Sequence, residues 1–256
     1  MEKILNLGSH YVSDFLKSDE EPKYDKYSLD LYLDKDLCAA RLKELAPSES
    51  MWGKYWYRSG INNSMITELK NIADQITQRM KVQEGDVWLD IACNDGTMFK
   101  FMPSGVIKVG IDPCDDSYYE ESSKLADCVI QDYFTLNSWK KTGIEKKCKV
   151  VTSIAMFYDL DNPHTFIEDI KQILDDNGVW VIQISYTPLM IEQLAFDNIC
   201  HEHTYYYSLS SLKVLFDQHD LQIVDAELND TNGGSVRVYI QKNTADITSF
   251  GTSPLR

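Results

Sequence analysis

The stretch VWLDIACNDGTMF, residues 87–99, decides the fold class. It opens with the apolar run VWLDI, passes through the turn-forming residues ACNDGT and ends on the apolar pair Met98 and Phe99. A short apolar run that leads through a turn into a second apolar segment predicts a buried strand followed by a helix start. The same order recurs along the chain, so this stretch is the first unit of a series.

Apolar runs of strand length alternate with helical patterns downstream of this unit. One helix is predicted over 66–80, where apolar residues recur at helical spacing after a cap at Asn63 or Ser64, and another over 163–174. This alternation predicts a doubly wound α/β fold with a mostly parallel seven-stranded sheet and an antiparallel hairpin at its edge. The predicted strands are 87–91, 106–112, 128–134, 149–157, 178–185, 221–228 and 235–242.

Charge and composition exclude several classes of partner. The chain has 256 residues and a formal net charge of −15 at pH 7, and such a surface repels nucleic acid and anionic membranes. No basic start precedes an apolar run, and no apolar stretch approaches the roughly 20 residues that cross a bilayer. We therefore expect a cytoplasmic protein that binds neither nucleic acid nor a membrane.

Acidic residues follow the predicted strands, at the edge where open α/β sheets bind ligands. The turn after the first strand has one glycine instead of G-x-G-x-x-G, which disfavours a dinucleotide and an NAD-linked oxidoreductase. An acidic residue at the end of the second strand can accept hydrogen bonds from both hydroxyls of a ribose. The predicted cofactor-binding residues are Asp90, Ala92, Asn94, Asp95, Gly96, Asp112, Pro113, Asp132 and Tyr133.

Together these strand ends suggest S-adenosylmethionine (SAM) as the ligand. Asp90 alone could equally cap backbone amides, and Asp112 alone could be a turn residue before Pro113. Another nucleotide ligand stays open on the pattern alone.

The stretch ICHEHTYYYS, residues 199–208, places His201, Glu202 and His203 side by side. A metal site is disfavoured because a catalytic zinc usually needs three protein ligands and no third one is marked. Histidines beside tyrosines could form a hydrogen-bond network within the core. They also suit proton transfer, because histidine titrates near neutral pH.

The chain resembles the sugar C-methyltransferases that act on nucleotide-linked keto-sugars. The resemblance implies a Rossmann-like class I SAM methyltransferase fold, SAM as cofactor and S-adenosylhomocysteine (SAH) as product. The matching segments are YWYRSGINNSM (55–65), VWLDIACNDGTMF (87–99), VGIDP (109–113), FYDLDNP (157–163), DNICHEHTYYYSL (197–209) and NGGSVRVY (232–239).

The resemblance also implies roles for individual residues. His203 corresponds to the proposed base, with Glu202 and His201 beside it, while Cys200 replaces a tyrosine that some members have. Arg237 could face a phosphate or lie on an exposed strand face. The substrate-binding residues that the resemblance implies are Tyr57, Ser59, Asn62, Asn63, Asn232, Gly233 and Arg237.

Two parts of the family pattern differ in this chain. Family members usually begin with a zinc-binding lobe of two Cys-x-x-Cys pairs, but Asp34 and Leu37 stand where cysteines are expected, so we expect no zinc. Members also usually carry a further α/β domain, which a separate polypeptide could supply here. We therefore predict a degenerate lobe over 1–60, a SAM-binding domain over 61–243 and a tail over 244–256.

The preferred hypothesis is a SAM-dependent methyltransferase that methylates a carbon of a nucleotide-linked keto-sugar through a histidine-assisted enolate. The alternatives are an O-methyltransferase acting on a sugar or small molecule, and a non-catalytic SAM-binding subunit.

Overall fold

A computed structural model describes residues 1–13, 19–21, 25–52, 56–245 and 250. The described chain forms two sheets, one with seven strands and one with four. The strands are β1 (Glu2–His10), β2 (Tyr27–Asp34), β3 (Ala39–Leu42), β4 (Val87–Ile91), β5 (Ile107–Ile111), β6 (Cys128–Ile130), β7 (Cys148–Ile154), β8 (Leu174–Ser185), β9 (Tyr205–Tyr206), β10 (Leu221–Asn229) and β11 (Ser235–Lys242). The helices are α1 (Ser48–Trp52), α2 (Asn63–Met80), α3 (Asp116–Ser122), α4 (Leu136–Lys140), α5 (Pro163–Ile173), α6 (Thr187–Glu192) and α7 (Leu209–Asp217).

The larger sheet has the strand order β10-β11-β8-β7-β4-β5-β6. Strands β8, β7, β4, β5 and β6 run parallel, and β10 and β11 form an antiparallel hairpin whose second strand pairs with β8. All five residues of β4 are buried, as a central parallel strand covered on both faces requires. The predicted doubly wound α/β fold with its edge hairpin is confirmed.

Apolar side chains pack against both faces of this sheet. On one face, Trp180 meets Phe157 with 5.3 Å between ring centroids, within a cluster that includes α5 and α7. On the other face, α2 packs its apolar stripe against Trp88 and Val181. The two layers fix the carboxyl ends of the parallel strands relative to each other.

Helix α2 begins slightly earlier than its apolar pattern shows. Its N-cap is Asn62, whose side chain accepts hydrogen bonds from the backbone N–H groups of Ser64 and Met65. The predicted cap at Asn63 or Ser64 is therefore wrong by one residue or two. The helix predicted to start at Met98 and Phe99 is a single 3₁₀ turn over Thr97–Lys100.

The smaller sheet has the order β1-β2-β3-β9 and is antiparallel. Its last strand comes from the Tyr205–Tyr206 segment, where Arg41 pairs with Tyr205 and Ala40 with Tyr206. Residues of the predicted 1–60 lobe are thus hydrogen-bonded to the segment after the His-Glu-His motif. The tail predicted over 244–256 lies mostly outside the described residues.

The segment that resembles a zinc pair forms the turn between β2 and β3. The Asp34 carboxylate accepts hydrogen bonds from the backbone N–H groups of Asp36 and Leu37, and the Leu37 side chain is buried in the core. Within the described ranges, no group of three or more His, Cys, Asp or Glu side chains could hold a metal ion. The helices of the described chain are also too short or too polar to span a membrane.

Candidate active site

A cavity of about 380 Å³ opens at the carboxyl ends of β4, β5 and β7. It is bordered by the loops that follow these strands and by residues 57 and 59, which precede α2. Of the sequence-predicted cofactor and substrate residues, the structure brings eight to its wall: Tyr57, Ser59, Asp90, Ala92, Asn94, Asp112, Pro113 and Tyr133.

Asp90 lies within β4 and is only 5% exposed. The Thr152 hydroxyl donates to its Oδ1 at 2.6 Å. The pKa of Asp90 is raised to about 7, chiefly by burial; the Thr152 hydrogen bond lowers it and the nearby charge of Asp112 contributes to the rise. Asp90 therefore binds a proton near neutral pH, and a cation placed beside it would release that proton.

The loop after β4 turns sharply under the cavity. Ala92, Asn94 and Gly96 have positive φ angles of 58°, 52° and 76°. At Gly96 a side chain is excluded as well, because an added Cβ would lie 2.8 Å from the Cα of Ser122 in α3. The single glycine of this loop is thus required by packing against α3.

Asp112, just after β5, holds this loop in place. Its Oδ2 accepts a hydrogen bond from the backbone N–H of Asn94 at 2.7 Å, and its Oδ1 accepts from the backbone N–H of Cys114 at 2.8 Å. Each carboxylate oxygen has two lone pairs, so each retains acceptor capacity toward the cavity. The carboxylate can accept from two further hydroxyls without losing its own loop contacts.

Residues 57–60 form a strap that is tied to the loop after β4. The Asn94 side chain accepts from the backbone N–H of Ser59 at 3.0 Å and donates to the carbonyl of Tyr57 at 3.0 Å. The Asp95 Oδ2 accepts from the backbone N–H of Gly60 at 2.7 Å. Asn94 and Asp95, predicted to bind cofactor, thus position the strap, and Asn94 also lines the cavity.

Arg58 fastens the outer side of the strap. Its guanidinium lies 2.8 Å from Glu121 and 4.0 Å from the centroid of the Tyr118 ring. Because α3 carries both partners, the strap is connected to the loops after β4 and β5 at the same time.

Several predicted residues lie away from the cavity wall. Asp132 pairs with Lys141 at 2.6 Å on the surface, and this interaction lowers the pKa of its carboxyl. Asn62 caps α2 and Asn63 is its exposed first residue. Asn232 and Gly233 form the 3₁₀ turn Thr231–Gly233 between β10 and β11.

Arg237 lies inside the protein, where it is 2% exposed. Its guanidinium donates to Glu68 at 2.7 Å, to Asn71 at 3.0 Å and to Gln183 at 3.1 Å. The expectation of an exposed strand face is wrong, because α2 covers this face of β11. The geometry shows a buried ion pair between sheet and helix.

The His-Glu-His motif lies behind the cavity wall. His201 is 3% exposed, and its Nε2 lies 3.0 Å from the carbonyl of Tyr27, which joins it to β2. His203 Nδ1 lies 2.8 Å from the carbonyl of Asn198. A carbonyl can only accept, so Nδ1 carries the ring hydrogen and Nε2 has a free lone pair. Burial lowers the pKa of His203, so the ring is neutral.

Asp159 connects this motif to the cavity. It ends the 3₁₀ turn Phe157–Asp159 after β7 and lines the cavity, while the ring of its neighbour Tyr158 lies 4.4 Å from the His203 ring, centroid to centroid. Burial raises the pKa of Asp159 well above its usual range, and the charge of Glu202 raises it further. Sequence reasoning missed this carboxyl, although its position after the fourth predicted strand was an available signal.

Comparisons with known proteins agree with this geometry. A family described as Methyltransferase domain matches residues 57–226. The chain is similar to the C-methyltransferase NovU of Streptomyces niveus, at 22% identity over 246 residues that cover 95% of this chain. It spans 59% of the length of that relative.

Solved methyltransferase structures share the fold at low identity. The magnesium protoporphyrin IX methyltransferase ChlM from Synechocystis PCC 6803, with bound SAH, has a TM-score of 0.54 at 9% identity, over 71% of this chain and 88% of its own. The plantazolicin methyltransferase BpumL in complex with SAH has a TM-score of 0.51 at 13% identity, over 68% of this chain and 82% of its own.

Proposed function

This chain belongs to the methyltransferase domain family, and from that membership we propose that it is a SAM-dependent enzyme that methylates a carbon of a nucleotide-linked keto-sugar. One observation carries the choice of cofactor. The cavity at the strand ends is lined by carboxylates, and the described part of the chain places no lysine or arginine on its wall. Such a wall suits a cationic ligand and disfavours one that brings phosphates into the cavity.

The residues present fit SAM. A cavity of about 380 Å³ lies within the range of small-molecule sites. Asp112 would accept from the ribose hydroxyls with its remaining lone pairs, and Asp90 would face a cationic group of the ligand. Tyr133 would lie against the adenine. The bound cofactor supplies a methyl group on a sulfonium, which is already reactive toward a nucleophile.

The chain's own residues then have to prepare the nucleophile and orient it. A carbon beside a ketone becomes nucleophilic when it loses a proton, and a neutral imidazole with a free Nε2 can accept that proton. His203 has this form, with its ring oriented by the Asn198 carbonyl. The strap and the loops after β4 and β7 would exclude water and hold the reacting groups in line.

The proposal is tested by incubating the protein with labelled SAM and a set of nucleotide-linked keto-sugars. The expected product has a new carbon–carbon bond, visible by NMR as coupling between the labelled methyl group and a ring carbon. A methyl ether would instead identify an O-methyltransferase. Binding of SAH without any methylated product across the set would favour the non-catalytic subunit.

Replacing Asp112 with alanine should weaken SAH binding by about 10- to 100-fold, because hydrogen bonds to a charged group contribute about 1.5–3 kcal/mol. Isothermal titration calorimetry measures this change. Asp176→Ala is the matched control, since Asp176 is an exposed carboxylate paired with Lys242. Unchanged affinity in a folded Asp112→Ala variant would remove the ribose assignment.

SAH affinity should rise with pH and level off above pH about 7. Asp90 has a raised pKa of about 7, so below that pH it must release a proton before it can pair with the ligand's ammonium group. The affinity should fall about tenfold for each pH unit below that value. Calorimetry in buffers of different ionisation enthalpy would detect the released proton near pH 6. The Asp90→Asn variant should bind with no such slope, and a flat wild-type profile would contradict the pairing.

A further inference from the structure

We propose that Asp159, which lines the cavity, is a second catalytic group: a neutral carboxylic acid that donates a hydrogen bond to the carbonyl oxygen of the substrate. The inference rests on the proposed function, because it assigns this role within the same cavity. It adds a polar group that would stabilise the enolate oxygen, whereas His203 accepts the proton from carbon.

The position of Asp159 is fixed by its surroundings. Phe157, two residues earlier, is fully buried and packs on Trp180. The Thr204 hydroxyl donates to the backbone carbonyl of Asp159 at 3.2 Å, which ties the turn to the residue after His203. The carboxyl therefore reaches the cavity from a rigid turn, as a group that must meet a reacting atom requires.

One oxygen of the Asp159 carboxyl, Oδ1, is shielded from water without a partner in the described chain. The Oδ1 of Asp159 and the Oε2 of Glu202 are both shielded from solvent, and no side chain or backbone group of the described chain makes a hydrogen bond to either atom. An ionised carboxylate in such a place would lose its hydration with nothing in return. A protonated carboxyl has one oxygen that donates and needs fewer acceptor contacts.

Among the described residues, the groups that interact with this pair supply no positive charge. Glu202 is the neighbouring charge that acts on Asp159, and both carboxyls act on Cys200 and Tyr206. Burial and the Glu202 charge raise the pKa of the Cys200 thiol to about 12. Burial also raises the pKa of the Tyr206 hydroxyl, so both groups stay neutral. His203 is neutral as well. Burial, and then the charge of Glu202, therefore raise the pKa of Asp159 well above its usual range, and its carboxyl retains the proton.

A neutral carboxylic acid at this position would stabilise the negative charge that forms on the substrate oxygen. When His203 takes the proton from carbon, the electron pair of that C–H bond moves into the enolate and negative charge grows on the carbonyl oxygen. The O–H of Asp159 donates to that oxygen and keeps its proton throughout. When the enolate carbon forms its bond to the methyl group, the methyl–sulfur bond would break and its electron pair would stay on sulfur, giving SAH. The carbonyl is then restored and the proton on His203 passes to solvent. Asp159 starts and ends the turnover in the same state.

Two substitutions test the assignment. Asp159→Ala removes the donor and should lower kcat by about 10²–10³-fold. Asp159→Asn keeps a neutral donor, so it should avoid most of that loss. In wild-type enzyme kcat should fall at high pH, where the carboxyl ionises, and this fall should be absent in Asp159→Asn. A fully active alanine variant, or an asparagine variant with the wild-type pH profile, would overturn the assignment.

A measurement on the free protein separates this inference from the proposed reaction. Infrared difference spectra of wild-type protein against Asp159→Asn at pH 7 should show the C=O band of a protonated carboxyl, which the variant lacks. The control Asp176→Asn, at an exposed surface carboxylate, should leave that band in place. An ionised carboxylate band at residue 159 would overturn the inference whatever the substrate is. A protonated band without methylation of any sugar would leave Asp159 as a buried acid and refute only the reaction.

Discussion

Replacing His203 with alanine should lower turnover by about 10²–10⁴-fold, the usual contribution of a positioned general base, while SAH affinity stays unchanged. The variant removes Nε2, the ring nitrogen that the Asn198 hydrogen bond leaves with a free lone pair, in a ring that packs against Tyr158. His203 is not on the wall of the cavity assigned to the cofactor, so SAH affinity should not change. Its ring packs on Tyr158, whose neighbour Asp159 lines the cavity, so the substrate would have to bind at this side to reach it. Single-turnover kinetics with labelled SAM would measure the chemical step, and calorimetry with SAH would measure binding.

The pH dependence supplies a second signature of the same group. Burial lowers the pKa of His203 from its ordinary value, so the base is already neutral at neutral pH. In the wild type, kcat should fall only when the pH drops below the usual histidine range, because the imidazole is protonated there and cannot accept a proton. A wild-type rate that still rises steeply between pH 7 and pH 8, at about tenfold per unit, would point to a base with a higher pKa.

Two other histidines serve as comparisons. His10 lies on the exposed strand β1, so His10→Ala should leave both turnover and binding as they are. His201 is buried against the Tyr27 carbonyl, so His201→Ala should lower the unfolding temperature and leave the folded fraction active. An active His203→Ala variant together with an inactive but folded His201→Ala variant would transfer the role of base to His201.

The fold could be predicted because burial on both faces of a parallel sheet leaves a direct trace in the sequence. The run VWLDI is apolar because all five residues of β4 are buried, and the same holds for most residues of β7 and β8. The strands of the smaller sheet show no such apolar run in the sequence. Strand β1 is exposed along its whole length, and β9 has two residues, so neither shows an alternating pattern.

The cavity wall was predictable only where a residue's place follows from its position at a strand end. Asp90 and Asp112 were predicted because they stand at strand ends, where open α/β sheets bind ligands, and the structure places both on the cavity wall. The pairing of Asp159 with Glu202 and the link from Asn94 to the strap both join segments that are distant in sequence. Residue spacing along the chain does not predict contacts between such distant segments, so these contacts could be identified only from the structure.

Arg237 shows the same limit in the hairpin. An exposed strand face was one of the two alternatives for Arg237, because successive residues of a strand point to opposite faces of its sheet. Strand β11 instead lies between β10 and β8, and α2 covers the face that carries Arg237. The alternating residues of β11 therefore form one fully apolar face and one face that carries Arg237 in its ion pair.

Replacing Arg237 with methionine should lower the free energy of unfolding by about 3 kcal/mol, the low end for breaking a buried ion pair. Methionine fills much of the volume but leaves the Glu68 carboxylate without its partner at 2.7 Å and removes the Arg237 hydrogen bond to Asn71. Gln183 loses its hydrogen bond from Arg237 but keeps the one from Asn229. Glu68 is 15% exposed, so water can satisfy part of its hydration, which is why the low end applies. Urea denaturation followed by circular dichroism would measure the loss.

A double variant at Arg237 and Glu68 distinguishes an ion pair between these two residues from a contact between Arg237 and the substrate. If Arg237 acts through Glu68, then Glu68→Gln combined with Arg237→Met should recover part of the lost stability, because the uncompensated charge is gone. If Arg237 instead binds a substrate phosphate, Arg237→Met should keep its stability and raise KM for the nucleotide-linked sugar, and Glu68→Gln should not rescue it. The burial of the guanidinium and its three partners on α2 and β8 favours the first result, since a phosphate could reach it only by displacing Glu68.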